Sequence, residues 1–369
     1  MSRNHDAARP APGARARARD LGLRLGLLPT GPLNAITDVA GVRVGHATVR
    51  HGQPPGGPGL GPARTGVSAI WPGEGIGQVG YPAGMHVLNG FGELTGAEVV
   101  REIGGIATPI VLTNTLGVGV AYDAVARYLI DRFPALMSAG DLVTPVVGEC
   151  NDAYLNDAIG LHVRAEHVWA ALDQAAGGPV AEGDVGAGTG MACFSFKGGI
   201  GTASRRLPAS LGGHTVGALA LANFGNRAYL TIGGTAVGQA CPDPRWQGQA
   251  FPPDPGSCIL VLATDAPLSA LQLRRLAGRG PLGLARLGSY GSNGSGEIAL
   301  AFSTGYTVPF GGRSLAVELV SDWAIDPLFA AAVEATEEAV VNCLCQAHTT
   351  TGLRGRTVEA MPLDWIAAG

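Results

Sequence analysis

Lysine is almost missing from this chain. Of 25 basic residues among 369, only Lys197 is a lysine and the other 24 are arginines. Charge of either sign is sparse, at 15% of residues, and the net formal charge is −4. A nucleic-acid binder needs a basic face to neutralise phosphates, so that class of partner is excluded. No apolar run approaches the roughly 18 residues that a membrane-spanning helix needs, which argues against a membrane partner. The six cysteines (Cys150, Cys193, Cys241, Cys258, Cys343 and Cys345) contain no CxxC pair. They are too few for a disulfide framework and read as buried free thiols of a reducing, cytoplasmic compartment. The eight histidines contain no HExxH or comparable ligand spacing, so neither a metal nor another cofactor is expected.

Glycine and proline are abundant instead, at 58 and 25 residues. That approaches low-complexity composition. The 46% hydrophobic content nevertheless provides for a large core, and the glycines lack the period of three that collagen requires. Residues 1–20 are rich in Ala, Arg and Pro without an apolar signal core, and read as a disordered tail. Residues 21–369 show no internal repeat and no boundary, and read as one catalytic domain. Residues 53–64 and 241–256 are Pro-rich and read as loops.

Elsewhere short apolar runs alternate with helix-like stretches. Thr95 and Glu98 have capping-box spacing before a helix that Gly104 and Gly105 stop. Helices are predicted over 119–133 and 329–347, and another after a cap at Thr264 or Asp265. Strands are predicted over 107–113, 142–147, 216–222, 258–263, 298–302 and 315–320. Interleaved buried strands and helices give an α/β or α+β layered fold. The glycine runs 186–190 and 198–202 match no complete phosphate-binding motif, and read as tight turns or close backbone approaches. Lys197, at the edge of the second run, reads as a structural or turn-stabilising cation.

Two junctions carry chemistry. At Pro255-Gly256-Ser257-Cys258 a Pro-rich loop ends and a core strand begins at once. Cleavage of the Gly256–Ser257 bond would leave Ser257 with a free α-amine beside its own hydroxyl, and an amine of pKa near 8 can activate that hydroxyl. Cys258 falls on the opposite strand face by alternation and reads as a core thiol. At Gly294-Ser295-Gly296-Glu297, the hydroxyl and the carboxylate are spaced i, i+2 at a strand start. They share a face and can orient a nucleophile or relay its proton, or they simply cap a solvated strand end. Asn223 ends an apolar strand. Its amide can donate to an oxyanion or close an Asx-turn.

Six segments in order resemble the DmpA-type aminopeptidases and β-peptidyl aminopeptidases, which are self-processing N-terminal serine hydrolases. They are 34–47 (NAITDVAGVRVGHA), 65–72 (TGVSAIWP), 148–158 (GECNDAYLNDA), 196–206 (FKGGIGTASRR), 256–269 (GSCILVLATDAPLS) and 294–306 (GSGEIALAFSTGY). The resemblance implies a four-layer αββα sandwich like that of Ntn hydrolases, with different connectivity. It implies self-cleavage into an α chain, 1–256, and a β chain, 257–369, that stay together and assemble as a homo-oligomer. Ser257 then matches the nucleophile, Ser295 and Glu297 the hydroxyl–carboxylate pair, and Asn223 the oxyanion donor. Glu149 matches the acid that receives the substrate's amine. Some members carry an aromatic hydroxyl where this chain has Asn151, so a differently shaped substrate side is implied there. The implied substrates are short peptides, aminoacyl amides or esters of L-, D- or β-amino acids. Two alternatives are an acyltransferase resembling ornithine acetyltransferase, which uses threonine at the cut, and an uncleaved, non-enzymatic binding protein.

Overall fold

A computed structural model describes residues 14–134, 143–243 and 256–364. Strands β1 (Arg43–His51), β2 (Ala63–Trp71), β4 (Ile110–Asn114) and β5 (Val146–Cys150) form one sheet in the order β1-β2-β4-β5. A larger sheet contains β3 (Val79–Gly90), β6 (Gly199–Arg206), β7 (Thr215–Asn223), β8 (Gly256–Thr264), β9 (Ser295–Ser303) and the short β10 (Val308–Pro309). Its order is β10-β3-β9-β8-β7-β6, with Gly105–Ile106 pairing on β3.

Helix α1 (Ala97–Ile103) packs beside β3. Helices α2 (Val118–Arg132) and α3 (Ala165–Asp173) cover the first sheet. Helices α4 (Ala270–Ala277), α5 (Gly280–Arg286) and α6 (Asp326–Gln346) lie on the outer face of the second. The order of layers is helix, sheet, sheet, helix, as expected.

Two apolar cores follow from strand alternation. On β8, Ile259, Val261 and Ala263 pack between the sheets, while Cys258, Leu260 and Leu262 pack under α4–α6. Residues buried on both faces explain why β8 reads as an uninterrupted apolar run. Gly201 lets α6 lie directly on β6, because a β-carbon there would press on Ala339 O and stand 2.8 Å from Cys343 Cβ. The six cysteines are unpaired, and all but Cys241 are buried.

Several expectations need correction. Residues 14–20 are packed, not free: Ala18 is buried, and Arg19 Nε lies 2.7 Å from the buried Glu338 carboxylate. The expected tail over 1–13, and most of the loop over 241–256, lie outside the described residues. The Thr95 capping box does not form; Gly96 caps α1 and Thr95 Oγ1 donates to Pro145 O at 2.7 Å. Helix α4 starts after Ser269, whose hydroxyl accepts from Gln272 N at 3.3 Å, and not after Thr264 or Asp265. The strand expected from residue 142 begins at Val146. Residues 315–320 form no strand; Leu315 and Leu319 are exposed, with no neighbouring strand to pair.

Candidate active site

The candidate site lies at one end of the two sheets, where β5 and β7 finish and β8 and β9 begin. β7 is antiparallel to β8 and pairs Asn223 with Ser257. β9 is parallel to β8 and pairs Gly296 with Ser257. Ser257 is therefore held between two strands at the very start of its own, and is only 3% exposed.

Asn223 approaches the serine with its amide. Its Oδ1 accepts from Ala192 N at 2.9 Å, which leaves Nδ2 to donate. Nδ2 is 3.0 Å from Asn151 O and 3.5 Å from Ser257 Oγ. The amide orientation is thus set by two backbone groups rather than by an Asx-turn. Asn151 makes such a turn itself, with Oδ1 accepting from Ala153 N at 2.9 Å.

Ser295 Oγ donates to Glu297 Oε1, and both residues are buried. Their register partners are Gly256 and Cys258, so the two side chains stand on the Cys258 face of the sheet. Ser257 itself points to the other face, toward Cys150 on β5. The pair therefore flanks the serine's backbone instead of facing its hydroxyl as expected. Burial pushes the Cys258 thiol well above its ordinary range, as befits an inert core group.

A cavity of about 790 Å³ opens over Ser257. Its wall includes Gly256, Ser257, Asn223, Asn151, Glu149, Glu93, Thr115, Tyr154 and Arg356. Glu149, next to last on β5, is 4% exposed. It accepts from Thr115 Oγ1, and from Glu93 N at 3.1 Å. Burial raises its carboxyl above the usual range, the neighbouring Glu93 charge adds to that, and the two hydrogen bonds oppose it. A buried acid beside a second acid attracts a cation, and an ammonium group fits that demand.

Lys197 is fully buried away from this cavity. Its Nζ donates to the carbonyls of Gly188, Met191 and Gly198 at 3.0, 2.8 and 2.7 Å. It fastens the two glycine runs together, in agreement with its expected structural role.

The profile of peptidase family S58 matches residues 34–358. The chain belongs to peptidase family S58. A β-peptidyl aminopeptidase of Sphingosinicella microcystinivorans is 44% identical over 360 residues, covering 94% of this chain and 89% of that protein. A β-aminopeptidase of a Burkholderia species has a solved structure that aligns with TM-score 0.85 at 44% identity, covering 96% of this chain and 98% of that one. The L-aminopeptidase D-Ala-esterase/amidase of Ochrobactrum anthropi, described as a prototype serine aminopeptidase with a variant Ntn hydrolase fold, aligns with TM-score 0.87 at 43% identity. It covers 95% of this chain and 97% of that one. This S58 peptidase accordingly has an Ntn-type fold and is an aminopeptidase. Neither the acyltransferase nor the non-enzymatic alternative has this support.

The position of Arg356, and the Thr115 and Glu93 contacts on Glu149, were missed in the sequence. Each comes from a segment distant in the chain, and no local spacing marks it.

Proposed function

We propose that this S58 peptidase is a self-processing N-terminal-serine aminopeptidase that removes N-terminal β-, L- or D-amino acids from short peptides, amides and esters. One observation carries the reading. Ser257 starts a central strand on the wall of a large cavity, with the Asn223 amide 3.5 Å from its hydroxyl. The similarity to two β-aminopeptidases supports the substrate class.

Processing begins when Ser257 Oγ adds to the Gly256 carbonyl and displaces its own amide nitrogen. Water then hydrolyses the resulting ester, leaving a Gly256 carboxylate and a Ser257 amine. The α chain is 1–256 and the β chain 257–369. The Ser295–Glu297 pair flanks the new terminus on the neighbouring strand and holds its amine, which takes the hydroxyl proton in later turnovers. Asn223 donates to the oxyanion as Ser257 attacks the substrate carbonyl. The acyl-enzyme then passes to water. Glu149 receives the substrate ammonium and restricts cleavage to free N-termini, while Asn151 shapes the adjoining wall. The six unpaired thiols fit a reducing, cytoplasmic setting, and we take the working form to be a homo-oligomer of αβ units.

The test is the intact mass of the purified protein beside Ser257→Ala, followed by assays on β-alanyl and alanyl p-nitroanilides. In proportion to 256 and 113 of 369 residues, the 37.4 kDa chain should give pieces of about 26 and about 11 kDa. The variant should stay whole and inactive. A wild type that hydrolyses the anilides while remaining a single chain overturns the mechanism.

A further inference from the structure

Arg356 is a cation on the cavity wall for which the proposed chemistry has no use so far. It belongs to two cavities at once. A second one, of about 200 Å³, shares Ala153 and Arg356 with the first and adds Arg354 and Asp157. The guanidinium lies 4.9 Å from the centre of the Tyr154 ring. Its one hydrogen bond, to Tyr154 O, is long at 3.4 Å. A guanidinium has five N–H donors, so most of its capacity is open. Among the described residues no carboxylate pairs with it.

The position is built by the surrounding backbone. Residues 352–356 form a turn in which Gly352 N donates to Arg356 O at 2.9 Å and Arg356 N to Leu353 O at 3.2 Å. The turn is docked on two other loops, through Leu353 N to Leu155 O at 2.7 Å and Arg354 N to Pro55 O at 2.6 Å. Gly352 has no room for a β-carbon, which would press on Leu155 O. Arg356 and the Tyr154 that supports it are thus carried by segments fastened together.

The same cavity holds Glu149 and Glu93. Its lining therefore has carboxylates and an arginine, with Ser257 among them. A short peptide with both ends free has the matching pattern, an ammonium at one end and a carboxylate at the other. The planar fork of arginine fits a carboxylate with two parallel hydrogen bonds.

We propose that Arg356 receives the free C-terminal carboxylate of the substrate, and so selects di- and tripeptides with both termini free. The proposal rests on the roles given above to Ser257 and Glu149. Arg356 acts on specificity and not on the reacting atoms, and the smaller cavity beside it leaves room for the leaving residue's side chain.

The test compares β-alanyl-alanine, its C-terminal amide and β-alanyl p-nitroanilide. The wild type should show kcat/KM about tenfold higher for the free acid than for the amide. Arg356→Gln should lower kcat/KM about tenfold for the free acid, through KM with kcat little altered. The amide and the anilide should shift less than threefold. Arg356→Lys, which keeps the charge but not the fork, should restore part of the loss. Processing into two pieces checks that each variant has folded. A wild type that treats acid and amide alike overturns the assignment, as does an Arg356→Gln variant that loses all three activities equally. Failure of the wild type to cleave the anilide would instead defeat the serine aminopeptidase reading on which the proposal stands.

Discussion

Gly256 sits where no other residue fits. A β-carbon there would stand 2.6 Å from Asn223 O and 2.7 Å from Phe224 Cα, both backbone atoms at the end of β7. Larger residues would push the Gly256 carbonyl away from Ser257 and strain the β7–β8 pairing that brings Asn223 to the serine. Gly256→Ala should therefore slow self-cleavage by at least about tenfold, an effect of about 1.4 kcal/mol or more on the barrier. The half-life of the 37.4 kDa precursor on a gel measures it, and processing at the wild-type rate would count against the steric account. At this scale the sequence was legible wherever chemistry is local. Ser257, Ser295 and Glu297, the proposed nucleophile and its flanking pair, stand out because two hydroxyls and a carboxylate lie at strand starts with short fixed spacings. Their faces were not legible. The parallel register of β8 with β9 sets Ser295 and Glu297 on the side opposite the Ser257 hydroxyl, and no pattern within one strand encodes the register of two. Arg356 was invisible for a related reason, since its importance comes from a cavity assembled from five or more separate segments.

Elements were readable in proportion to their burial. β7, β8 and β9 are apolar on both faces, and their runs stand out between glycines and prolines. The turns were harder. Thr95 and Glu98 have the spacing of a capping box, yet the Thr95 hydroxyl is taken by Pro145 O, a tertiary contact that a local rule does not see. Ser269 and Gln272 make the box that does form, and the spacing was there to be read. The apolar alternation at 315–320 had no strand beside it and stayed irregular. The glycine runs were legible as turns, but their fastening by Lys197 brings a consequence for pH. Burial lowers the Lys197 pKa to about 8 from the ordinary 10.5, and Asp184 opposes this only in part. Between those values the unfolded chain binds more protons than the folded one, so stability from this group rises with pH across the window. Lys197→Met has no such titration. The unfolding free energy of wild type minus variant should grow by about 1–3 kcal/mol between pH 8 and pH 10.5. Urea unfolding in a Ser257→Ala background, which the proposed cut would leave whole, measures the difference. A gap that does not change with pH would sink the prediction.

On the scale of the whole molecule, the cut proposed at Ser257 divides the sequence without dividing the fold. The larger sheet runs β10-β3-β9-β8-β7-β6. β3, β6 and β7 come from residues before the cut, while β8, β9 and β10 come from residues after it. β9 lies between β8 and β3, and β8 lies between β9 and β7, so the pieces are joined along two full strand edges. Helix α6 completes the join from outside. Its Glu338 is buried and accepts from Arg19 Nε and Arg205 Nη2, each at 2.7 Å, and also from Asn34 Nδ2 at 2.5 Å. All three donors precede the cut and Glu338 follows it. Burial by itself would raise the Glu338 carboxyl, but Arg19, Arg205 and Asn34 together hold it below its ordinary range. A depressed carboxylate contributes stability above its unfolded pKa, near 4.3, and loses it as pH falls through the lower folded value. Glu338→Gln leaves Arg205 paired with Glu334 at 2.9 Å but removes the carboxylate that it shares with Arg19. The expected cost at pH 7 is about 1–3 kcal/mol, that of lost charged hydrogen bonds in a buried network. It should appear as a lower urea midpoint for separation of the two processed pieces on size exclusion. The deficit should shrink as pH falls below the unfolded pKa near 4.3, because the unfolded carboxylate then takes up protons that the folded one, held lower, does not. An equal deficit at pH 7 and pH 3 would mean that Glu338 acts through packing, and that strand interleaving by itself keeps the two pieces together.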